Sequence, residues 1–417
     1  KFSYKSVMKN NPDTNWQDTG DWKNGRIRSG AKSLIWISLL FGVAFTGISA
    51  PAVLAIPDEL AKENHLILVV LLFPLVGISA LALFVYSVMA WRKYGVTELV
   101  LDPAPGSIGG DFGGRFETRI PYHANNTVNI TLNCQHLRTT GTGKNRSTKT
   151  TTKWQREGLA TINRSADGGS EIAFRFDIPE NLPQSERASS NYHRWVLQLD
   201  CELPGIDFNR SFTVPVFETG KPLYSSLDIP YVKDSAPLQK APAGKVKISQ
   251  TADGLQFYYP WYRHLWPSIM LASIGTLFAV IGYFIGKESG DIIFPLAFGG
   301  IGSLVAIAGY YMMGNTLTTT VSSQGIHIIR NVFGFRFQRK ARQDEITKLE
   351  RDIGSQMQSG TKHTVYYTIK AHTKDGRKMT IADSLEGSRL ADFVERKIRD
   401  ALWPGDNKPG ETELVID

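Results

Sequence analysis

Two long apolar runs joined by a short polar turn constrain this chain more than any other feature. The first run spans Leu265 to Ile285, the second spans Ile292 to Met313, and Gly286 to Asp291 connects them. Each run is long enough to cross a hydrocarbon core of about 30 Å as a helix. The connection is too short for anything except a tight reversal at the far face of a membrane. The sequence therefore predicts a membrane-spanning helical hairpin, in residues 261–314.

A second apolar pair lies nearer the N-terminus, in residues 33–91. Leu34 to Ala55 and Leu66 to Ala90 are predicted to span, and the short acidic loop from Pro57 to Asn64 joins them. Small residues at every fourth position of the first helix (Gly42, Thr46 and Ala50) permit close contact with a neighbouring helix. The rest of the 417 residues is enough for about two soluble domains.

Lysine and arginine are distributed unequally around the four predicted helices, and this predicts their orientation. The basic residues at one side are Lys23, Arg26, Arg28, Lys32, Arg92, Lys93 and Arg263. The other side has only Lys62 and Lys287, each beside acidic residues. Because cytoplasmic flanks carry the excess of basic residues, the juxtamembrane arm 1–32 and both large soluble segments are predicted to be cytoplasmic.

The middle segment, residues 92–260, has the pattern of a β-protein. Runs with period-two alternation include Thr127 to Cys134, Glu171 to Asp177, Trp195 to Cys201 and Phe208 to Phe217. Clusters of Gly, Pro, Asn and Ser separate them, which is typical of a β-sandwich. Glu218 to Ala243 is rich in proline and is predicted to be an extended linker or a meandering edge. Gly109 to Gly114 lacks the spacing of a nucleotide-binding loop and is predicted to be a flexible turn.

Three stretches of this segment resemble the arrestin-like sandwich. They are Phe176 to Pro183, Tyr192 to Leu197 and Leu203 to Phe208, and the resemblance covers roughly Val96 to Glu218. The wider layout resembles an uncharacterised bacterial inner-membrane family that has this sandwich between helix pairs. The resemblance implies a domain that binds proteins and membranes and is not an enzyme.

The C-terminal segment, residues 315–404, is predicted to combine strands with one closing helix. Six strands are predicted between Leu317 and Ala382, with a hairpin turn at Lys374 to Arg377. An amphipathic helix follows from about Leu385 to Leu402, which Asp383 or Ser384 can cap. This order of elements resembles a bacterial pleckstrin-homology-like domain. Residues 405–417 are predicted to be a tail.

Two basic segments are candidates for contact with lipids or with a partner. The first lies in a predicted loop from Thr139 to Trp154 and contains Lys144, Arg146, Lys149 and Lys153. The second lies between predicted strands of the C-terminal domain and contains Arg336, Arg339, Lys340 and Arg342. Each is open to two interpretations: a solvated surface, or a contact with anionic headgroups or an acidic partner, in which each basic residue adds about 1 kcal/mol.

Small residues also mark candidate helix contacts in the second helical hairpin. Gly282, Gly286, Gly299 and Ser303 have the spacing of small-xxx-small motifs. They are predicted to pack within the four-helix set, with binding of a partner helix as the alternative.

No catalytic or metal-binding pattern stands out. The eight histidines are scattered, no C-x-x-C motif exists, and Cys134 and Cys201 are predicted to be reduced core residues. No cofactor, no enzymatic activity and no nucleic-acid partner are predicted. The prediction is a membrane-anchored scaffold or adaptor that binds membrane lipids and a protein partner, with a homo-oligomer left open. The alternative is an accessory subunit of a membrane enzyme or transporter.

Overall fold

The structure is a computed structural model and describes most of the chain. The described residues are 22, 24–29, 33–63, 67, 70–123, 127–165, 168–232, 241–242, 244–289, 292–293, 295–359 and 362–405. The chain divides into two compact units. Unit 1 contains Lys1–Pro237 and Gln356–His363, and unit 2 contains Leu238–Ser355 and Thr364–Asp417. Most of the predicted juxtamembrane arm and nearly all of the predicted tail lie outside the described residues.

The helices follow the apolar runs closely. They are α1 (Ser33–Leu54), α2 (Ile56–Ala61), α3 (Leu72–Tyr94), α4 (Leu265–Ser289), α5 (Ile301–Gly314) and α6 (Gly387–Leu402). Within the described residues, four helical stretches have the length and apolar composition to cross a membrane: Ile35–Ala61, Phe73–Tyr94, Trp261–Lys287 and Pro295–Gly314. Their large apolar side chains face outward, and Trp36, Ile48 and Trp266 are 69%, 78% and 79% exposed.

Two predicted boundaries at these helices are wrong, and a third is not tested. The acidic stretch predicted as a loop from Pro57 is helical in α2, where Pro57 occupies one of the first helical positions. Helix α3 begins at Leu72, and the predicted start of this helix, Leu66, lies outside the described residues. The polar turn predicted to begin at Gly286 is shorter, because α4 continues to Ser289, and a π-helical turn at Pro295–Gly300 precedes α5.

Unit 1 is built from two larger antiparallel sheets and one small parallel pair of strands. The strands are β1 (Arg26–Arg28), β2 (Glu98–Leu101), β3 (Gly106–Ser107), β4 (Asp111–Thr118), β5 (Val128–Thr140), β6 (Ser147–Leu159), β7 (Thr161–Arg164), β8 (Ser170–Asp177), β9 (Asn191–Cys201), β10 (Phe208–Val214) and β11 (Val216–Phe217). The sheet orders are β1-β2-β4-β8-β7, β10-β9-β5-β6 and β11-β3. Phe116 of the first sheet packs against Phe212 of the second at 5.2 Å between ring centroids, so the larger sheets share an aromatic core.

The strand β1 lies within the predicted juxtamembrane arm and belongs to this unit. It pairs with β2 so that Ile27 lies opposite Leu99, and Ile27 is buried. The helices α1 and α3 are therefore inserted between two neighbouring antiparallel strands. Both outer ends of this helical hairpin are held at the same edge of one sheet.

Unit 2 combines a five-stranded sheet, a three-stranded sheet and α6. Its strands are β12 (Lys247–Thr251), β13 (Gly254–Tyr259), β14 (Asn315–Ser322), β15 (Gly325–Val332), β16 (Phe335–Arg342), β17 (Ile346–Ser359), β18 (Lys362–Thr373) and β19 (Lys378–Glu386). The end of β17 from Gln356 and the start of β18 up to His363 belong to unit 1. The sheet orders are β12-β13-β14-β15-β16 and β17-β18-β19. Leu390, Val394 and Ile398 of α6 are buried in the core that these sheets enclose.

The boundary predicted at Pro260 separates strands that the structure joins. Strand β13 pairs with β14 across the second helical hairpin, and Phe257 lies opposite Thr319. The sheet partner of β13 is therefore more than fifty residues further along the chain, beyond α4 and α5. Such long-range pairing has no local sequence signal.

Three smaller predictions in the soluble regions are also corrected. The predicted flexible turn at Gly109 to Gly114 is largely strand β4, where a Cβ at Gly113 would lie 2.6 Å from the carbonyl oxygen of Asp102. Helix α6 has Glu386 as its N-cap residue, with no side-chain cap from Asp383 or Ser384. The predicted loop from Thr139 is mostly strand, because β5 ends at Thr140 and β6 begins at Ser147.

Both cysteines are free and buried, as predicted. Burial raises the pKa of the Cys134 thiol to about 12 and also raises that of Cys201. Such thiols stay protonated near neutral pH and are poor nucleophiles.

Candidate functional site

Strand β16 contains the second basic segment and forms an edge of the five-stranded sheet. Seven of its eight residues are exposed, and only Ala341 is buried. The segment predicted to lie between strands is itself a strand, paired with β15 along its whole length. Because side chains alternate across a strand, Arg336, Lys340 and Arg342 share one face and Arg339 lies on the other. The basic side chains of β16 therefore lie on both faces of the sheet, which the number of charges in the sequence did not indicate.

The face that carries Arg339 also carries two exposed aromatic residues. Phe335 and Phe337 are 73% and 61% exposed, and they continue the row that begins with buried Ala341. The adjacent turn residue Phe333 is 60% exposed. The tip of the β15–β16 hairpin is therefore outside the buried core and is lined by phenylalanines. Sequence reasoning missed them, although the alternation in Phe335 to Arg342 was visible.

The turn between β15 and β16 is conformationally costly. Val332 pairs with Phe335, so the turn consists of Phe333 and Gly334, and both have positive φ (49° and 91°). Such hairpin turns favour Asn-Gly, since a bulky residue is rarely found with positive φ. The side chain of Asn331 accepts a hydrogen bond from the Gly334 amide at 2.8 Å and supports the turn.

The same turn contacts the end of the second helical hairpin. The Phe333 amide donates to the carbonyl of Gly314, the last residue of α5, at 2.9 Å. The Phe333 ring lies so close that a Cβ at Gly314 would be 2.4 Å from it. Glycine at this position therefore allows the hairpin to lie directly against the helix end.

The charges on β16 are not equivalent. Arg342 is close to Asp344 at 3.4 Å and to Glu345 at 3.2 Å. Among the described residues, no carboxylate forms an ion pair with Arg336, Arg339 or Lys340. Three of the four predicted contact residues are thus available to an anionic ligand, whereas Arg342 is already paired.

The first basic segment forms a second hairpin, made by β5 and β6. Lys149 and Lys153 are on strand β6, and Arg146 ends the turn, in place of the predicted loop. The side chain of Lys144 lies outside the described residues. Lys149 is directly opposite Arg138, a basic residue that sequence reasoning missed because it precedes the segment. Directly opposite like charges destabilise a strand pair, so this hairpin concentrates positive charge at some cost.

The predicted helix-packing residues divide into contacting and non-contacting positions. A Cβ at Gly282 would lie 2.4 Å from the amide nitrogen of Gly299, and one at Gly286 would lie 2.3 Å from Pro295. Ser303 is instead exposed, and its hydroxyl donates to Gly299 within the same helical segment. The interface uses Gly302, one residue earlier, where a Cβ would lie 2.6 Å from the Ala279 nitrogen. These glycines pack α4 against the helical segment that ends in α5.

A buried arginine connects the second helical hairpin to the sheet of unit 2. Arg263 is 7% exposed and donates to the carbonyls of Tyr259, Pro260 and Asn315 at 3.2–3.3 Å. Its guanidinium is also 3.7 Å from Asp383 on β19. One side chain therefore binds the chain before α4, the chain after α5 and the second sheet. Arg330 shares the Asp383 carboxylate at 3.4 Å.

Arg210 has a comparable position in unit 1. It is 7% exposed and donates to the carbonyl of Gly95, which follows α3, at 3.0 Å. It also donates to the Thr97 hydroxyl at 3.2 Å. Burial lowers the pKa of Arg210. No carboxylate among the described residues forms an ion pair with it.

The proline-rich segment predicted as a linker is bound to unit 1 through two aspartates. Asp111 is 1% exposed and accepts from Arg175 at 2.8 Å and from the Ser225 amide at 2.9 Å. Asp102 accepts from the hydroxyl of Ser226 at 2.6 Å. The described part of the segment, up to residue 232, is therefore hydrogen-bonded to the start of β4 and to the residue that follows β2.

Unit 2 also contains an apolar groove of about 780 Å³ beside α6. Its wall includes Val246, Leu255 and Phe393, with Lys247 and Lys397 among its polar residues. Within the described part of the chain, no group of three or more His, Cys, Asp or Glu residues could hold a metal ion.

Comparisons with known proteins give little further information. No family model matches the chain, and no curated protein matches it. Among solved structures, the chain is similar to Spo0M, a sporulation control protein from Bacillus subtilis, with a TM-score of 0.21 and 12% identity. The match covers 60% of this chain and 90% of that one. So weak an overlap carries no argument about fold or function, and function is therefore inferred from the contacts within this chain.

Proposed function

We propose that this protein is a membrane-anchored scaffold or adaptor that presents two β-rich units at the cytoplasmic face of a bacterial inner membrane. The observation that carries the proposal is the insertion of each apolar helical hairpin between two paired antiparallel strands. Because paired strands hold both ends of a hairpin together, each helix pair would cross and return, leaving its β-unit on one side.

The distribution of charge supports the cytoplasmic side. Arg92 and Lys93 are in the last turn of α3, and Arg26 and Arg28 are in β1, at the sheet end of the first hairpin. The opposite end of that hairpin has Lys62, which pairs with Glu59 at 2.8 Å. A net positive flank of this kind favours retention in the cytoplasm.

The proposal also gives each unit a fold. Two antiparallel sheets around a shared aromatic core support an arrestin-like unit 1. In unit 2, the meander β13-β14-β15-β16, the three strands β17-β18-β19 and the closing helix α6 support a pleckstrin-homology-like domain. In such a domain, the helical hairpin of α4 and α5 would replace the connection between the first two strands of the meander, β13 and β14. Both folds favour binding of lipids or proteins over catalysis.

Thiol accessibility tests the topology. The two native cysteines are buried, so the background from the parent chain should be low. In intact cells, Lys62→Cys should react with a membrane-impermeant maleimide, whereas Asp375→Cys should react only after the cells are permeabilised. Both native side chains are well exposed, at 68% and 49%. Labelling of Asp375→Cys in intact cells would contradict the proposed orientation.

Extraction in mild detergent separates the adaptor from the alternative, an accessory subunit of a membrane enzyme or transporter. The adaptor should purify as a monomer or homo-oligomer, with partners that dissociate at raised salt. A stoichiometric membrane partner that stays bound at high salt would favour the subunit. That partner should then be lost when exposed helix residues such as Leu304 are replaced by Trp.

A further inference from the structure

We infer that the hairpin of β15 and β16 contacts lipid and places Phe333, Phe335 and Phe337 in the interfacial region of an anionic leaflet. This inference rests on the proposed membrane anchorage and adds a β-hairpin as a second contact with the same bilayer.

The position of the hairpin follows from its bond to the helix end. The Phe333 amide binds the carbonyl of Gly314, where the last apolar span ends. Aromatic residues also mark this end of the second helical hairpin: Trp261 precedes α4 and Tyr311 is in the last turn of α5, each 45% exposed. Tryptophan and tyrosine are enriched at membrane–water interfaces. The turn of the β-hairpin thus lies where such an interface would be.

The side chains of the hairpin fit that environment better than they fit water. Among the described residues outside the apolar helices, the exposed phenylalanines are Phe333, Phe335 and Phe337. They are grouped at one hairpin tip, and large apolar patches on a soluble surface mark interaction sites. Phe333 also keeps a backbone conformation that is unfavourable for a bulky residue, and strain of this kind concentrates at functional positions.

The charges determine which leaflet the hairpin would contact. Arg336, Arg339 and Lys340 follow the aromatic tip and have no carboxylate partner among the described residues. Long basic side chains next to an apolar tip can extend to anionic headgroups while the rings stay deeper. Arg342, further from the tip, is already paired and is expected to contribute little.

An acidic peptide is the competing occupant, because β16 is an edge strand and an extended segment could pair with it. The phenylalanines favour lipid. They are at the end of the strand nearest Gly314 and the apolar helix, whereas a paired peptide would be expected to follow the whole edge down to Arg342.

The test uses the full chain in nanodiscs of phosphatidylcholine with or without phosphatidylglycerol. A nitroxide label is attached to Phe335→Cys, to Ile274→Cys on the exposed face of α4, and to Asp375→Cys at the β18–β19 turn. Collision with oxygen and with a nickel chelate then measures depth. In anionic discs, the label at position 335 should be accessible to oxygen and protected from nickel, as at 274, while the label at 375 should show the reverse.

Each outcome has a separate meaning. If position 335 behaves like position 375 in anionic discs while 274 reports lipid, the lipid-contact inference is wrong and the anchorage stands. If position 274 itself behaves like water, the anchorage fails. In the Phe335→Cys background, Arg336→Gln with Arg339→Gln and Lys340→Gln should make the label shallower in anionic discs only, whereas Arg342→Gln should not. If the label at position 335 becomes protected from the nickel chelate only when an acidic peptide is added, the peptide is the occupant and the lipid inference is wrong.

Discussion

The two units attach an apolar helical hairpin to a β-sheet in the same way but with different strength. In unit 1 the flanking strands are short, since β1 has three residues and β2 has four, and Arg210 binds only neutral groups. In unit 2 the flanking strands have six and eight residues, α5 is followed directly by β14, and Arg263 is near Asp383. The second junction therefore has more backbone pairing and a charged partner. It should transmit displacement between helices and sheet more rigidly.

The largest effect is expected from Arg263→Ala. Removing one partner of a buried ion pair leaves Asp383 with less compensation and removes the side-chain donor from three carbonyls, of which Pro260 keeps the residue-263 amide. We expect about 4 kcal/mol of destabilisation, confined to unit 2. Hydrogen exchange of the detergent-solubilised chain should show faster exchange of amides in β14 and β15, with β9 unchanged.

Arg330→Ala is the matched control for Arg263, because it removes a pair with the same carboxylate at a more exposed position. It should cost about 1 kcal/mol. If the two variants exchange equally fast, the junction does not depend on the carbonyl contacts of Arg263, and the proposed difference between the units fails.

The next effect concerns helix packing in unit 2. Gly302→Leu places side-chain atoms where the backbone of Ala279 already lies, so α4 and α5 must separate. Overpacking of this kind costs about 3 kcal/mol. The apparent melting temperature in detergent should fall clearly. Gly300→Leu is the control, since nothing lies within 4 Å of a Cβ there. An equal fall for both variants would mean that the close contact between Gly302 and Ala279 is not responsible, since leucine is itself a better helix former than glycine.

Arg210→Ala should have a smaller effect, and it should be confined to unit 1. Its partners are two neutral oxygens beyond α3 and its neighbour's carbonyl, so the expected loss is about 2 kcal/mol. Both cysteines of the chain are in unit 1, so the rate at which they react with a thiol reagent reports the opening of that unit alone. The rate should rise in Arg210→Ala and stay at the parent value in Arg263→Ala. The opposite pattern would reverse the comparison.

How much of this could be read from the sequence depends on the range of the interactions. The apolar helices and most strands were predictable, because a continuous run such as Leu265 to Ile285 and the alternation from Glu171 to Asp177 are local patterns. The junctions were not. The pairing of Leu255 with Val321 joins strands separated by two helices, and Arg263 looked like one more flanking charge although it is a buried donor.

The candidate site shows the same limit at the level of side chains. The four basic residues of β16 were recognised in the sequence, and contact with anionic headgroups or an acidic partner was predicted for them. The pairing of Arg342 with Glu345 is local, three residues along the chain. The bond of Phe333 to Gly314 and the position of Arg138 opposite Lys149 instead depend on contacts between residues far apart in the chain or across a strand pair. Spacing along the chain carries no information about such neighbours.

The smallest effect sharpens a second contrast, between the two basic hairpins. The β5–β6 hairpin has Arg138 opposite Lys149 and, among its described residues, no exposed phenylalanine, so its charges repel without an apolar contact to offset the cost. Lys149→Glu replaces a repulsive pair with an attractive one. It should stabilise unit 1 by about 0.5 kcal/mol, which would appear as slower thiol exposure. Thr148→Glu, beside it on the opposite face of the strand, is the control: it loses an exposed hydrogen bond to Thr139 at 2.9 Å and gains no directly opposite cation, so it should not slow thiol exposure. If Lys149→Glu speeds thiol exposure, Lys149 makes a favourable contact within unit 1 that outweighs its repulsion by Arg138, and the contrast between the two hairpins fails.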